Sequence, residues 1–444
     1  MGVVIISTKA LLTWNREGAS PGDRWKWNET IGPVQDRPGR QGNTHASFSM
    51  PVLMLVFGKA IGGMQIQMLW VSQEFTLSLE IITDYSPGLM EYLQWCEDMS
   101  LTPILAIWSG LSLGGGIISG TALDPYVEDA LNELEFLLGP TTSTWGALRA
   151  SYGHPDPYAI SHLEIGNEDN LSSGCSTYAS RFTAFYNAIN AAYPTITLIA
   201  STTTSSCLPS PLPSGVWTDI HHYEEPAEFV SLFNEFDNYP RTAGYGIFVG
   251  EYANIATNTG AKVYWSNVQG AISEAVYMIG LERNSDLVKM ASYAPMFEHF
   301  GVAEWSPDLA GLDARPGSLT GSVSYYVQKL FSTARGSTIL PVTADTDFNP
   351  LFWVASSTGG NAPTYHVKIA NYGTTVQNVT VTIPAAVGVS ATAGLQTLTG
   401  ASTASNYPLD VTVLPVEGTV SGSASAGWTF SVPGYGVAVL SVTS

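Results

Sequence analysis

From residue 89 the sequence alternates between two periodicities, and no other feature constrains its fold as strongly. Residues 89–99 carry apolar side chains at helical spacing, and 102–108 follow as a continuous apolar run of strand length. Asp124-Pro125 reads as a helix N-cap followed by proline in the first turn, ahead of Val127, Leu131, Leu134 and Leu138 on one face. Strand patterns recur at 162–167, 197–201, 219–223, 247–252 and 288–294. Between them, helical patterns carry Phe182, Phe185, Tyr186 and Ile189, then Phe229, Phe233 and Phe236, then 271–281, with a last helix near 325–331. Parallel strands need a crossover, usually a helix, so this repetition predicts a parallel sheet. Acidic and polar residues gather at the C-terminal ends of these strands, which favours a (β/α)₈ TIM barrel over an open sheet. No Gly-rich dinucleotide turn follows any of the strands, so a Rossmann reading has no support.

After about residue 335 the texture changes. Short β-rich runs at 351–355, 365–370, 376–383 and 436–442 alternate with clusters of Gly, Ser, Thr and Asn, the pattern of an antiparallel β-sandwich. Two domains are expected: a catalytic barrel over residues 1–334 and a C-terminal β-sandwich over 335–444. No long Pro- or Ser-rich tract separates them, so the boundary is a junction rather than a flexible linker.

The composition narrows the partners. Charged residues are 12% of the chain and its formal net charge is −20. Such a field repels nucleic acid and anionic membranes, so neither is an expected partner. It suits a neutral ligand, and the 12 Trp and 21 Tyr supply flat apolar faces, although core packing accounts for most aromatics in a chain of this size. No run reaches the ~18 apolar residues of a membrane span. Residues 1–14 lack the basic leader and cleavage site of a signal peptide. Cys96 falls in a helical pattern and is expected as a buried thiol. Cys175 and Cys207 fall in loops after consecutive strands, which leaves a disulfide or two separate thiols open. Sequons stand at Asn28, Asn170 and Asn378.

Two strand patterns end in glutamate: Glu164-Ile165-Gly166-Asn167-Glu168-Asp169 and Val249-Gly250-Glu251-Tyr252. Two carboxyl groups across one pocket are the minimum equipment for glycosidic bond cleavage, and a retaining glycosidase needs them about 5–5.5 Å apart. Glu168 is read as the acid/base, Glu251 as the nucleophile, and Asn167 as a partner for the sugar 2-hydroxyl. A glutamate at a strand end is also often a surface charge or an arginine partner, so neither motif decides the matter alone. Glu164 reads as a buried structural carboxylate, and Glu224 and Glu225 as solvated. His221 and His222 lack a wider ligand cluster, so hydrogen bonding is favoured over metal binding. No metal and no cofactor is expected.

The ordered series of motifs is more specific than any one of them. Arg24-Trp25-Lys26-Trp27-Asn28-Glu29, Asp36-Arg37-Pro38-Gly39-Arg40, Glu91-Tyr92-Leu93-Gln94-Trp95, the two glutamate motifs, Asp219-Ile220-His221-His222-Tyr223-Glu224 and Gly280-Leu281-Glu282-Arg283-Asn284-Ser285-Asp286 stand in sequence. From Glu17 to Gly42, and from about Leu89 onward, the chain resembles fungal α-L-arabinofuranosidases of glycoside hydrolase family 51. The resemblance implies a barrel with a C-terminal β-sandwich. It also implies a secreted, retaining exo-hydrolase that releases non-reducing terminal α-L-arabinofuranosyl groups from arabinoxylan, arabinan and related oligosaccharides. By it Glu168 is the acid/base, Glu251 the nucleophile, and Tyr223 a residue that steadies the nucleophile. Trp25 becomes a candidate wall of the sugar pocket, with core packing at the barrel rim as the alternative.

Two departures stand against it. The family carries an N-terminal β-rich region and a first barrel strand, whereas this chain starts almost at the second strand and reads as truncated. A Gly-Gly-Asn turn of the family is replaced by Leu12-Thr13-Trp14-Asn15, so Asn15 is given no role. Residues 44–87 resemble nothing in the family and read as translated non-coding sequence. Residues 3–7 or 52–57 are candidates for a substitute strand. Two other readings therefore stay open: a catalytically impaired sugar-binding remnant, or a related retaining glycosidase with another sugar preference.

Overall fold

A computed structural model describes residues 48–60, 63–75, 89–112, 116–301, 305–313, 315–383 and 388–444, the first two segments as backbone only. By contacts the chain divides into two compact units. Among the described residues, one comprises 48–53 and those from 68 to 213; the other comprises those from 54 to 67 and from 214 to 444.

The first unit is built from strand–helix repeats. Helix α1 (Leu89–Asp98) leads into β3 (Thr102–Ile107), α2 (Asp124–Leu138) and α3 (Thr144–Ser151) into β4 (His162–Ile165), and α4 (Cys175–Ala192) into β5 (Thr197–Ala200). The strands β3, β4 and β5 run parallel and in register, with Ile104 opposite His162 and His162 opposite Thr197. Their apolar runs are buried, as a parallel sheet covered by helices requires. Asp124 is not an N-cap as the sequence suggests. A short 3₁₀ turn, Gly120–Leu123, feeds directly into α2, so Asp124 is its first residue and Pro125 lies where no N–H is needed. Helix α3 gives no apolar signal because its anchor is an arginine. Fully buried Arg149 donates to the carbonyls of Phe136, Gly139, His154 and Pro155, two of them at the C-terminal end of α2. Cys175 and Cys207 form a disulfide that ties the start of α4 to the turn after β5. Closing a loop of 32 residues contributes about 3–4 kcal/mol in the chain-entropy account. Cys96 is a buried thiol, as expected.

The second unit continues the repeat with β6 (Trp217–Glu224), α5 (Pro226–Ser231), β7 (Ile247–Asn254), α6 (Val268–Arg283) and β8 (Val288–Tyr293). The strands β6, β7 and β8 are parallel. The Phe229–Phe236 pattern, read as one helix, is α5 followed by a 3₁₀ stretch, Leu232–Asn238, kinked at Asn234. Strands β1 (Phe48–Ala60) and β2 (Gly63–Phe75) precede all of these. The candidate substitute strand at 52–57 lies within β1, whose residues Phe57 and Gly58 pair antiparallel with Ala291 and Met290 of β8. The other candidate, at 3–7, lies outside the described residues.

Short strands β9 (Phe297–His299), β10 (Ala310–Leu312) and β11 (Thr320–Gly321) follow β8 and form a small sheet of their own. Helix α7 (Val323–Thr333) then leads into an antiparallel assembly. Its strands are β12 (Thr338–Leu340), β13 (Leu351–Ser357), β14 (Thr364–Asn371), β15 (Gln377–Val381), β16 (Thr392–Thr399), β17 (Val416–Ser423), β18 (Gly427–Val432) and β19 (Gly436–Thr443). Alternation along β19 explains its apolar run. Val437 and Val439 pack in a core with Val276 and Ile279 of α6 and Val327 of α7. Ala438, Leu440 and Val442 pack against Trp428, Phe430 and Val432 of β18. A sheet covered on both faces is apolar at every position, not every second one. Lys368 on β14 enters the helix-facing core because its ammonium meets Glu282 of α6 at 2.5 Å.

Candidate active site

Glu168 owes its position to the residue two before it and the residue after it. At the end of β4 the backbone turns through Gly166 (φ +99°) and Glu168 (φ +50°), both left-handed. A Cβ on residue 166 would stand 1.9 Å from Asp169 Oδ2, so this position requires glycine for space as well as for dihedral freedom. Asp169 is fully buried. Its carboxylate accepts from Ser109 Oγ at 2.9 and 3.0 Å, Ser201 Oγ at 2.8 Å, the Asn167 amide at 3.2 Å and Arg181 Nη1 at 2.6 Å. Ser109 follows β3 closely and Ser201 follows β5, so one carboxylate ties together the ends of three neighbouring strands. Tyr178 adds to this, donating to the Ile165 carbonyl at 2.5 Å and accepting from the Ser201 amide at 2.8 Å. Burial pushes the Asp169 carboxyl up, against the pull of Arg181, Ser201 and Ser109. Glu164 is buried deeper in β4, as the sequence suggests.

Arg181 and Asp169 are both shielded from water. Removing one partner of a buried ion pair leaves an uncompensated charge. Arg181→Ala is therefore expected to destabilise the chain by about 3–5 kcal/mol, read as a lower denaturant midpoint. Arg181→Lys, which keeps a cation beside Asp169, should lose less. Equal destabilisation by the lysine and alanine variants would show that the ion pair is not the cause.

In the other unit the strand ladder breaks at Gly250. Ile220 of β6 stands opposite Val249 and His221 opposite Glu251, so Gly250 is the extra residue of a bulge, and the pairing of β7 with β8 also shifts between Val249 and Tyr252. Asp219 Oδ1 accepts from the Gly250 amide at 2.7 Å. A Cβ at residue 250 would meet that oxygen at 2.5 Å, which explains the glycine in Val249-Gly250-Glu251. Bulges re-aim side chains. Here Glu251 is partly exposed while Val249 and Tyr252 on either side are buried.

Two residues of the adjacent strand approach Glu251. Tyr223 Oη donates to Glu251 Oε2 in a short hydrogen bond. His221 Nδ1 stands 3.4 Å from the same oxygen, and its Nε2 is 2.7 Å from Asp219 Oδ2. Tyr223 and His221 thus hold the glutamate from β6, with Asp219 behind the imidazole, and the Asp219 carboxylate serves both the bulge and the imidazole. His222 contacts Glu235 at 3.2 Å and Glu224 at 3.6 Å. Glu224, expected in solvent, is half-buried there, and burial raises its carboxyl pKa against the pull of His222. The end of β7 is held from behind by Glu274 of α6, which accepts from the Asn254 amide at 2.9 Å and from Ser324 Oγ. Burial raises the Glu274 carboxyl to about 7.

The structure brings Tyr223 to Glu251 and sets Asn167 beside Glu168 on a pinned turn. Trp25 lies outside the described residues. Asp219 and Asp169 were missed as positioning groups. The signal was present, since each is separated by one residue from His221 or Asn167, but a buried aspartate within or just after a strand has no distinctive pattern. Trp305, whose ring meets Tyr223 edge to face with centroids 5.5 Å apart, was missed as well.

Strand–helix repeats that carry glutamates at or near the C-terminal ends of their strands, followed by an antiparallel β-sandwich, are the arrangement of barrel-type glycoside hydrolases. The α-L-arabinofuranosidase 1 domain matches residues 14–241, and the α-L-arabinofuranosidase C-terminal domain matches residues 250–435. A probable α-L-arabinofuranosidase A of Aspergillus terreus is 46% identical over 430 residues, covering 96% of this chain and 60% of that protein. α-L-Arabinofuranosidase A of Aspergillus niger is 45% identical over 431 residues, with the same coverage. A probable α-L-arabinofuranosidase A of Emericella nidulans is 43% identical over 401 residues, covering 80% of this chain and 69% of that protein. Among solved structures, arabinose-bound MgGH51 α-L-arabinofuranosidase has a TM-score of 0.74 at 38% identity, covering 80% of this chain and 57% of that one. The α-L-arabinofuranosidase of Thermotoga maritima, at 18% identity and a TM-score of 0.63, agrees in fold. The chain belongs to the α-L-arabinofuranosidases of glycoside hydrolase family 51. Its fold class is the barrel type with a C-terminal β-sandwich read from the sequence. It spans about 60% of the length of the first Aspergillus relatives it matches.

Proposed function

We propose that this chain is a retaining exo-hydrolase releasing non-reducing terminal α-L-arabinofuranosyl groups. The observation that carries this is Glu251, which follows the bulge at Gly250 in β7 and is hydrogen-bonded by Tyr223. A carboxylate so held presents one oxygen to an anomeric carbon while the other is oriented. In the proposed first step Glu251 attacks C1, the glycosidic oxygen leaves with the proton of Glu168, and a glycosyl ester forms. In the second, Glu168 takes a proton from water, water attacks C1, and Glu251 leaves as carboxylate, so the product keeps its configuration. This requires the two carboxyl groups to face each other at about 5–5.5 Å across the scissile bond. Asn167 is assigned the sugar 2-hydroxyl, Tyr223 the orientation of Glu251, and Trp25 a wall of the pocket.

The substrates proposed are arabinoxylan, arabinan and related oligosaccharides. Extracellular location is proposed on the fungal relatives and on the exposed sequons at Asn170 and Asn378. Among the described residues no helix is long and apolar enough to cross a membrane. The change of strand pattern near residue 335 is proposed as the junction between catalytic domain and sandwich. Purified protein on an aryl α-L-arabinofuranoside, followed by NMR of the first-formed sugar, tests the activity. Turnover with retained configuration is expected. Turnover no greater than that of Glu251→Ala would favour the impaired sugar-binding reading, and preference for an aryl xyloside or glucoside would favour another specificity.

A further inference from the structure

A lone exposed aromatic is ordinary on a protein surface, but Trp305 is not placed at random. Its side chain is 56% exposed, yet the five residues that follow, 306–310, are all buried. The backbone thus turns inward immediately after presenting the indole. The segment is braced at its base. β10 pairs with β9, with Ala310 opposite Phe297 and Leu312 opposite His299. Glu298 and Asp308 share a hydrogen bond and are largely buried, and burial raises Asp308 to about 8. A protonated carboxyl can donate to its neighbour, so the pair joins the two arms of the segment. The Phe300 ring closes the same base, packed edge to face on Trp265 with centroids 4.8 Å apart.

The ring this segment presents meets Tyr223 edge to face, and Tyr223 donates to Glu251. The indole therefore stands one aromatic ring away from the proposed nucleophile, on a rigid support and open to solvent. An indole face offers apolar area to the C–H face of a pyranose or furanose at low entropic cost, since the side chain has only two torsions to fix. We propose that Trp305 is a sugar-binding platform for the ring next to the one whose bond is cleaved, so that it favours oligosaccharide and polysaccharide substrates over simple glycosides. This deepens the arabinofuranosidase reading and rests on it.

The test compares arabinotriose with methyl α-L-arabinofuranoside in the parent, Trp305→Ala and Trp305→Phe. For Trp305→Ala, KM for arabinotriose is expected to rise about tenfold, the loss of roughly one apolar ring contact. The effect on methyl arabinofuranoside should be several-fold smaller, kcat should change less than KM, and Trp305→Phe should recover most of the loss. An unchanged KM for arabinotriose overturns the proposal. So does an equal loss on both substrates carried by kcat, which would mean that Trp305 acts by positioning Tyr223. Calorimetric binding of arabinotriose to Glu251→Gln protein, with and without Trp305→Ala, separates this from the activity itself. A parent that hydrolyses neither sugar overturns the functional reading, and calorimetry alone then decides. Binding weakened by Trp305→Ala supports the platform, whereas unchanged binding, or none in the Glu251→Gln protein, overturns it.

Discussion

Glu251→Ala is expected to lower kcat on an aryl α-L-arabinofuranoside by about 10⁴-fold or more while leaving the fold intact. The side chain contributes nothing to the core, since it is partly exposed at a bulge, and the structural work around it is done by neighbours. Asp219 satisfies the Gly250 amide and His221 independently of the glutamate, so the bulge should persist in the variant. What disappears is the electron pair that, in the proposed mechanism, attacks C1. A small anion entering the vacated space can supply it instead. Azide should therefore restore cleavage of an activated substrate and yield an arabinosyl azide of inverted configuration. An unchanged circular dichroism spectrum with lost turnover and azide rescue is the expected result. Residual activity above a few per cent would assign the nucleophile elsewhere.

Glu168→Ala should slow hydrolysis by about 10²–10⁴-fold, and the loss should depend on the leaving group. A dinitrophenolate departs without a proton, so its first step should be nearly spared, whereas an alcohol leaving group should suffer the full penalty. Azide should again accelerate turnover, now by attacking the glycosyl ester, and its product should retain configuration. The opposite stereochemistry of the two azide products distinguishes acid/base from nucleophile in one pair of assays. The rigidity that makes such clean behaviour reasonable lies beneath the residue. Gly166 takes a left-handed backbone and leaves room for Asp169, whose carboxylate holds the ends of β3, β4 and β5. A leaving-group-independent loss would mean that the substitution disturbed this turn rather than removing a proton donor.

The repeat of strands and helices was legible because burial imposes its own periodicity. The helix carrying Phe182, Phe185 and Ile189 is α4, and all three are fully buried. The elements that escaped are those whose stability comes from polar groups. Arg149 anchors α3 through carbonyl contacts, which no apolar pattern announces. β17 is largely exposed and is held by its ladder to β16, so Val416-Glu417-Gly418-Thr419 carries no core signal. The kink at Asn234 arises where an apolar spacing compatible with one helix is broken by a backbone geometry that spacing does not encode.

The candidate site divides in the same way. Both glutamates were legible as carboxylates ending apolar runs, and Tyr223 followed from the family resemblance. The bulge at Gly250 was not, because it depends on Asp219, 31 residues earlier in the chain, taking the freed amide. Asp169 looked like one more acidic residue beside Glu168, yet it is buried and accepts from Arg181, 12 residues later. Trp305 had no local motif at all, and its approach to Tyr223 becomes visible in the fold alone.

Covalent attack by Glu251 with proton transfer by Glu168 is tested most directly by intact-mass analysis of a trapped intermediate. Glu168→Ala protein mixed with dinitrophenyl α-L-arabinofuranoside should accumulate a species heavier by one anhydropentose unit, because formation of the ester is spared and its hydrolysis is slowed. Peptide mapping should place that adduct on Glu251. An adduct on another residue, or burst-free turnover to a product of inverted configuration, would contradict the mechanism.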